Sequence, residues 1–174
     1  GHLRELTFPL QADADVTPLD ASTADGVRVY RRSLSFLLLV AVDEVFPGAE
    51  VFIEHSAATA AGYYCEVRGR SRFTQADLQK VQRRMQEIVA EDAPIVRERV
   101  SRDEALAVYR SRGETDKARL LAHGDRDRLV LYRLRGRRDY FQGYMAPSTG
   151  SLAHFALHAL PAGFTLQFQH QSRP

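Results

Sequence analysis

Apolar residues in the first third of the chain repeat at the spacing of a buried helix. The spacing predicts a helix over Val27–Phe46, about 30 Å long and closed by Pro47-Gly48. Most of its faces are expected to be buried. The repeating apolar residues are Leu34, Leu37, Leu38, Ala41, Val42 and Val45.

Two pairs of polar residues mark further helix starts. Thr74 with Asp77, and Ser101 with Glu104, have the three-residue spacing of a capping box. The first helix is expected to end at Pro94 and the second near Arg112. The pattern predicts one more helix from Thr115 to Leu121. The buried face of the helix that starts at Thr74 is expected to consist of Leu78, Val81, Met85, Ile88 and Val89.

The remaining pattern is that of strands separated by Gly and Pro, which gives an α+β order. Two short strand-like segments are expected before Gly26, and the two strands after the long helix should pair antiparallel around an alanine-rich loop. The expected later strands are Val51–Glu54, Tyr63–Val67, Ile95–Val100, Leu129–Leu134, Asp139–Gln142, Leu152–Ala159 and Phe164–Phe168.

Composition fits one compact domain with a short leader. A chain of 174 residues can bury about 70% of its unfolded surface. The longest apolar run, Phe36–Val42, is too short to span a bilayer, so no membrane partner is expected. Gly1-His2 looks like an expression remnant, and no secretory leader is visible. A single cysteine, Cys65, can form no internal disulfide, which favours a cytoplasmic location. Cys65 is expected to be a packed strand residue and not a nucleophile.

The positive charge of the chain is almost entirely arginine. The net charge is +2, and only Lys80 and Lys117 of the 24 basic residues are lysine. Such an excess of arginine has two alternative explanations: genome composition or a hot habitat, or bidentate contact with phosphate. The densest stretch, Arg133-Leu-Arg-Gly-Arg-Arg138, predicts a hairpin turn, either solvated or clamping RNA or a nucleotide phosphate. Its four guanidinium groups belong to Arg133, Arg135, Arg137 and Arg138.

The segment Asp139-Tyr-Phe-Gln-Gly-Tyr-Met-Ala-Pro-Ser-Thr-Gly150 follows directly. It resembles the Asp-x-Cys-x-Gly-Pro-His-x-Pro-Ser-Thr-Gly loop of the threonyl-tRNA synthetase editing domain. Phe141 and Met145 stand where that family has Cys and His. The resemblance therefore implies the frame of a hydrolytic site without two of its reactive side chains.

The second half of such a site would lie on the long helix, where the family has His-Ser-x-x-His. This chain has Arg32-Ser-Leu-Ser-Phe36 instead. Residues four apart lie about 6 Å from each other on one helix face, which suits paired ligands or proton carriers. A guanidinium stays protonated and a phenyl ring has no lone pair, so neither a zinc site nor any catalytic residue is assigned.

The resemblance extends over nearly the whole chain. Residues 3–25 are similar to the tail of the small β-grasp (TGS) domain, which implies a boundary near Gly26 between residues 1–26 and an editing-domain-like unit over 27–174. The implied fold is a long central helix wrapped by a mainly antiparallel sheet. The other matching segments are Val29–Gly48, Gly62–Glu66, Phe73–Leu78, Arg84–Ile88 and Arg102–Leu106.

Three short motifs are closest to the N-terminal region of bacterial uridine kinase-like nucleoside kinases. They are Arg-Ser-Leu-Ser-Phe, Ile-Glu-His-Ser and Asp-Tyr-Phe. That resemblance implies a P-loop kinase domain downstream, because this chain has no Gly-x-x-x-x-Gly-Lys-Ser/Thr of its own. ATP and Mg²⁺ are expected with the missing domain, and no cofactor is expected here.

The altered site has two interpretations. Arg32, Phe36, Phe141 and Met145 would form an apolar lining with one charge, suited to a nucleoside-like or aminoacyl-adenosine-like ligand. Alternatively, the two phenylalanines fill the space as core. Flanking candidates are Tyr64, Tyr144, Ser148 and Thr149, of which the last two more simply shape a turn, and His55 is the remaining acid-base candidate.

Three functional hypotheses remain open. The first is a non-catalytic ligand-binding or regulatory module of a nucleoside kinase, which senses a nucleotide, an aminoacyl compound or tRNA. The second is a deacylase of mischarged tRNA that uses His55 and Cys65. The third is a structural or dimerisation domain without ligand affinity.

Overall fold

The computed structural model describes residues 2–6, 8–59, 62–70, 72–122 and 127–168, without the side chains of 55–59. Four helices lie within these ranges: α1 Ala24–Val45, α2 Gln75–Ala90, α3 Arg102–Ser111 and α4 Thr115–Ala122. The strands are β1 Glu50–Thr59, β2 Gly62–Arg68, β3 Ile95–Ser101, β4 Arg128–Leu134, β5 Arg137–Asp139, β6 Phe155–Leu160 and β7 Gly163–Phe168. A 3-10 turn spans Thr149–Leu152.

The described strands form two sheets with antiparallel pairing throughout. One sheet has the order β1-β2-β7-β6 and the other the order β3-β4-β5. Helix α1 packs against α2 and contacts both sheets through β1 and β4. The predicted α+β class, with a long helix surrounded by antiparallel strands, is confirmed.

Helix α1 begins slightly earlier than its apolar pattern indicates. The side chain of Thr23 accepts a hydrogen bond from the Gly26 amide at the N-cap, so the helix starts at Ala24 and the expected start at Val27 is late. Its central turns lie at the middle of the core. The buried residues of α1 include Leu34, Phe36, Leu37, Leu38, Val40, Ala41 and Val42.

Both predicted capping boxes are present. Thr74 and Asp77 exchange side-chain and backbone hydrogen bonds at the start of α2, and Ser101 and Glu104 do the same at the start of α3. In each box two amides that have no partner inside the helix are satisfied by side chains. The residue identities alone therefore fix where these helices begin.

Several predicted strands are wrong in extent. The described residues before Gly26 contain no strand, and the large apolar side chains there, such as Leu6 and Val16, are exposed. The strand expected over Asp139–Gln142 ends at Asp139, because the chain then leaves the sheet towards Gly143, whose φ is 110°. Strand β6 begins at Phe155 and not at Leu152, because Leu152 belongs to the 3-10 turn.

The alanine-rich loop is also shorter than predicted, because β1 continues to Thr59. The domain boundary near Gly26 stays a prediction. Within the described residues, no helix is both long and apolar enough to cross a membrane.

Candidate functional site

Helix α1 and the loop Asp139–Gly150 meet inside the main core. Phe36 is fully buried, and its ring centroid lies 5.0 Å from that of the partly buried Phe141. Met145 is also buried. The structure therefore brings these three sequence candidates together, and their side chains occupy the interface between helix and loop.

Arg32 joins the same contact from one turn earlier on α1. Its Nη1 donates a hydrogen bond of 2.5 Å to the backbone oxygen of Tyr144. Burial lowers the pKa of the Arg32 guanidinium, and the nearby Arg28 charge acts in the same direction, whereas Tyr132 and Tyr63 oppose it. A guanidinium stays charged at neutral pH despite such a shift, so Arg32 is a cationic donor that holds the loop against the helix.

Ser33 is a residue of this site that the sequence analysis did not single out. It is fully buried, and its Oγ accepts a hydrogen bond of 2.8 Å from the Ala146 amide while lying 2.7 Å from the Val29 oxygen. The Met145 sulfur is 3.6 Å away. The serine in the family motif His-Ser-x-x-His was the available signal, since it is the polar residue that this chain keeps.

The end of the loop is attached to the corner between α2 and β3. The buried Thr149 Oγ1 donates to the Ile88 oxygen at 2.7 Å and accepts from the Ala93 amide at 2.9 Å. The Gly150 amide donates to Asp92 Oδ1, and hydrogen bonds from the Ser148 side chain and this amide lower the pKa of Asp92. Ser148 and Thr149 therefore hold the end of the loop against the α2–β3 corner through their side-chain hydrogen bonds.

We expect Gly143→Ala to lower the free energy of unfolding by about 1–3 kcal/mol. Gly143 has φ 110°, and a Cβ there would lie 2.8 Å from the Arg32 Cζ atom. The matched control is Gly136→Ala, where a Cβ meets no atom within 4 Å and a change within about 0.5 kcal/mol is expected. Urea unfolding of both variants measures the difference, and equal stabilities would contradict the close fit between Arg32 and the loop.

One candidate does not join this contact, and the side chain of a second is not among the described residues. Tyr64 lies on β2 next to the buried Cys65, and successive strand residues face opposite sides of a sheet, so the tyrosine points away from the core. Its hydroxyl donates 2.9 Å to the Ala162 oxygen and lies 3.1 Å from Glu66 Oε1. Among the described residues, these contacts place the Tyr64 hydroxyl beside Glu66 and Ala162 on the sheet β1-β2-β7-β6. The side chain of His55 lies outside the described residues.

Cys65 is a packed strand residue, as the sequence predicted. It is fully buried on β2, with its sulfur 3.7 Å from the Tyr63 oxygen. Burial raises the pKa of the Cys65 thiol to about 12, against a smaller opposing hydrogen bond from the Leu166 backbone. At neutral pH the group is therefore a thiol, and the thiolate that nucleophilic chemistry needs is scarce.

The arginines of the β4–β5 hairpin are paired with carboxylates. Arg133 Nε lies 2.6 Å from Glu98, and Arg138 Nε lies 3.0 Å from the same carboxylate. Arg135 bridges Glu44 and Glu91. The hairpin itself is confirmed, and these carboxylates offset the positive charge that a phosphate would otherwise meet.

The fourth hairpin arginine, Arg137, belongs to a buried polar cluster around Asp139. Its Nη2 lies 2.8 Å from Asp139 Oδ2, and its Nη1 pairs with Asp43 on α1. The Tyr109 hydroxyl donates 3.0 Å to Asp139 Oδ1 and accepts a hydrogen bond from the Tyr140 amide. Burial alone would raise the pKa of Asp139, but the charges of Lys117, Arg137 and Arg112 hold it below its usual value.

A small cleft adjoins this cluster. It has a volume of about 230 Å³ and an open mouth. Two acidic and two basic residues line it, so it has no excess of either charge to select a charged ligand. The lining residues are Val40, Asp43, Glu44, Arg112, Gly136 and Arg137. Within the part of the chain that the structure describes, no group of three His, Cys, Asp or Glu side chains lies close enough to hold a metal ion.

The described residues form an α+β domain in which helix α1 meets the Asp139–Gly150 loop, and the chain is similar in sequence to part of the threonine–tRNA ligases. The chain is 37% identical over 158 residues to the threonine–tRNA ligase of Burkholderia lata, which is 90% of this chain and 25% of that protein. It is 36% identical over 154 residues to the threonine–tRNA ligase of Acidovorax sp. strain JS42. The chain spans about a quarter of the length of these relatives. No protein-family model matches.

Proposed function

We propose that this chain is a non-catalytic binding or regulatory module built on an editing-type scaffold. The observation that supports it is the packing of Phe36 against Phe141, with ring centroids 5.0 Å apart, at the interface where the related loop and helix carry Cys and His. Two apolar rings in contact provide neither a nucleophile nor a water-activating base. The loop frame is nonetheless kept.

The other groups near the helix–loop contact do not supply the missing chemistry. Arg32 stays protonated and donates to the loop backbone, so it cannot accept a proton from water. Cys65 is buried as a thiol and belongs to the sheet. His55 is the one candidate left for the alternative deacylase function, which therefore depends on a single side chain.

The finer proposal is that the module accompanies a uridine kinase-like nucleoside kinase. It rests on the resemblance of the three motifs Arg-Ser-Leu-Ser-Phe, Ile-Glu-His-Ser and Asp-Tyr-Phe. In that arrangement a P-loop domain elsewhere in the protein would bind ATP and Mg²⁺. This module would sense a nucleoside-like or aminoacyl-adenosine-like ligand, or tRNA.

We expect the purified chain not to accelerate hydrolysis of seryl-tRNA mischarged on a threonine tRNA. The measurement is release of radiolabelled serine over time, compared with buffer and with a threonyl-tRNA synthetase editing domain that carries the Cys and both His. A rate equal to that of buffer supports the non-catalytic proposal.

Hydrolysis above the buffer rate would contradict it, and two variants then assign the activity. Loss of hydrolysis in His55→Ala would make this histidine the general base of an altered deacylase. Loss in Cys65→Ser alone would instead require the thiol to leave its buried position. Unchanged hydrolysis in both variants would point to a contaminating enzyme, which an independent preparation excludes.

A further inference from the structure

A second group of polar side chains lies on the sheet β3-β4-β5, beside the loop. Arg97 on β3 and Tyr132 on β4 are directly opposite in the antiparallel register, so their side chains share one face. The Arg97 guanidinium lies 5.7 Å from the ring centroid of Tyr144, whose backbone oxygen accepts from Arg32. The guanidinium groups of Arg97 and Arg32 therefore lie on either side of Tyr144, and Tyr132 is next to Arg97.

The Tyr132 hydroxyl is an unusual member of this group. The residue is 2% exposed, and among the described residues no hydrogen bond of acceptable geometry reaches its oxygen. Buried polar groups in native proteins are normally paired. Burial raises the pKa of Tyr132, whereas the charge and hydrogen bonding of the nearby Arg97 and the charge of Arg32 lower it, so the group is a protonated donor at neutral pH.

A carboxylate of the N-terminal segment, that of Glu5, lies close to Arg97. Glu5 Oε1 lies 3.6 Å from Arg97 Nη1, and its charge also acts on Tyr132. This is longer than the 2.6 Å between Arg133 and Glu98 on the same sheet. Within the described ranges, no carboxylate forms an ion pair with Arg32, so a single carboxylate faces two cations.

We propose that Arg97, Arg32 and Tyr132 form a binding site for the oxyanion of a ligand, a phosphate or a carboxylate, and that Glu5 occupies this site in the free chain. The inference rests on the proposed function, because it locates the acidic group of the ligand that the module would sense. The charges of Arg97 and Arg32 both act on Tyr132, and the carboxylate that faces Arg97 belongs to a segment without regular secondary structure.

The test uses the full chain and titration calorimetry with sodium phosphate, sodium acetate and uridine 5′-monophosphate, at constant ionic strength set with chloride. Glu5→Gln is expected to bind the preferred oxyanion about fivefold or more tightly than the unaltered chain, because ligand binds only the fraction of molecules whose site is free. Comparing the affinities for phosphate and acetate shows whether the site prefers a phosphate or a carboxylate.

Two further variants test the donors in the Glu5→Gln background. Tyr132→Phe is expected to weaken binding at least about fivefold with little change in the melting temperature, since no hydrogen bond of good geometry joins its hydroxyl to the protein and only Arg97 lies close to it. Arg97→Ala should abolish binding, whereas the exposed Arg99→Ala on the same strand should not. Arg99 thus controls for net charge.

Three outcomes would overturn the inference: no binding of any probe to Glu5→Gln, equal affinity in Glu5→Gln and the unaltered chain, or equal losses in Arg97→Ala and Arg99→Ala. None of these affects the proposed absence of hydrolysis, which the seryl-tRNA measurement decides separately. Conversely, a chain that hydrolyses seryl-tRNA can still bind phosphate at this site, so the two proposals fail independently.

Discussion

Asp139→Ala is expected to lower the free energy of unfolding by about 3–5 kcal/mol, because it removes the buried carboxylate that three cations share and leaves Arg137, whose side chain is 11% exposed, with fewer ionic partners. The carboxylate is 4% exposed and lies 2.8 Å from Arg137 Nη2 and 3.6 Å from Lys117 Nζ. The substitution also removes the acceptor of the buried Tyr109 hydroxyl. Urea unfolding followed by circular dichroism measures the change.

The matched control is Asp127→Ala, which removes an ion pair at the surface. Asp127 is 98% exposed and lies 3.4 Å from Arg102 Nη2, so a change of at most about 1 kcal/mol is expected. If both variants lost equal stability, the cluster around Asp139 would contribute no more than a surface pair.

The same carboxylate makes a pH-dependent contribution whose sign follows from its lowered pKa. Since the folded chain holds the pKa of Asp139 below the unfolded value of about 3.9, the contribution is complete above that value and is lost as the pH falls through the folded pKa. Asp139→Asn has no such group. Its stability should therefore fall less than that of the unaltered chain when the pH is lowered from about 5 to 3.

Phe36→Ala is expected to lower the free energy of unfolding by about 3–5 kcal/mol, because it removes a large side chain from a closed core and leaves a cavity. Phe36 is fully buried and its ring contacts Phe141. The thermal and urea midpoints measure the effect. Phe36→Leu, which fills part of the space, should cost less.

Phe52→Ala is the control for loss of a phenyl ring. Phe52 is 42% exposed on β1, with the Arg68 guanidinium 4.4 Å from its ring centroid, and we expect a cost of about 1 kcal/mol or less. A cost below about 1 kcal/mol at Phe36 as well would mean that the ring lines an open pocket. That result would favour a ligand cavity at the helix–loop contact.

The features that the sequence predicted well are those encoded by residues close together in the chain. A capping box needs only Thr74 and Asp77, three positions apart, and the burial of α1 follows from its apolar repeat. The strand-like pattern before Gly26 misled, because an alternating segment becomes a strand only where it finds another strand to pair with. The described residues there have none.

The polar groups of the site were harder to predict. Tyr109 on α3 and Asp139 on β5 are 30 residues apart, and only the packing of the helix on the sheet brings them into contact. The sequence presented Arg137 as one of four equivalent hairpin arginines, yet the β-register partly buries it and leaves Arg138 exposed. Arg97 and Tyr132 likewise meet through strand register alone.

The attachment of the Asp139–Gly150 loop has a consequence for exchange kinetics. Its Ala146 and Thr149 amides are bonded to α1 and to the α2–β3 corner, so their hydrogens should exchange only when those elements open together. The loop is then a fixed wall and not a lid. Release of Glu5 from Arg97, and not opening of this loop, is then the motion that would expose the proposed oxyanion site.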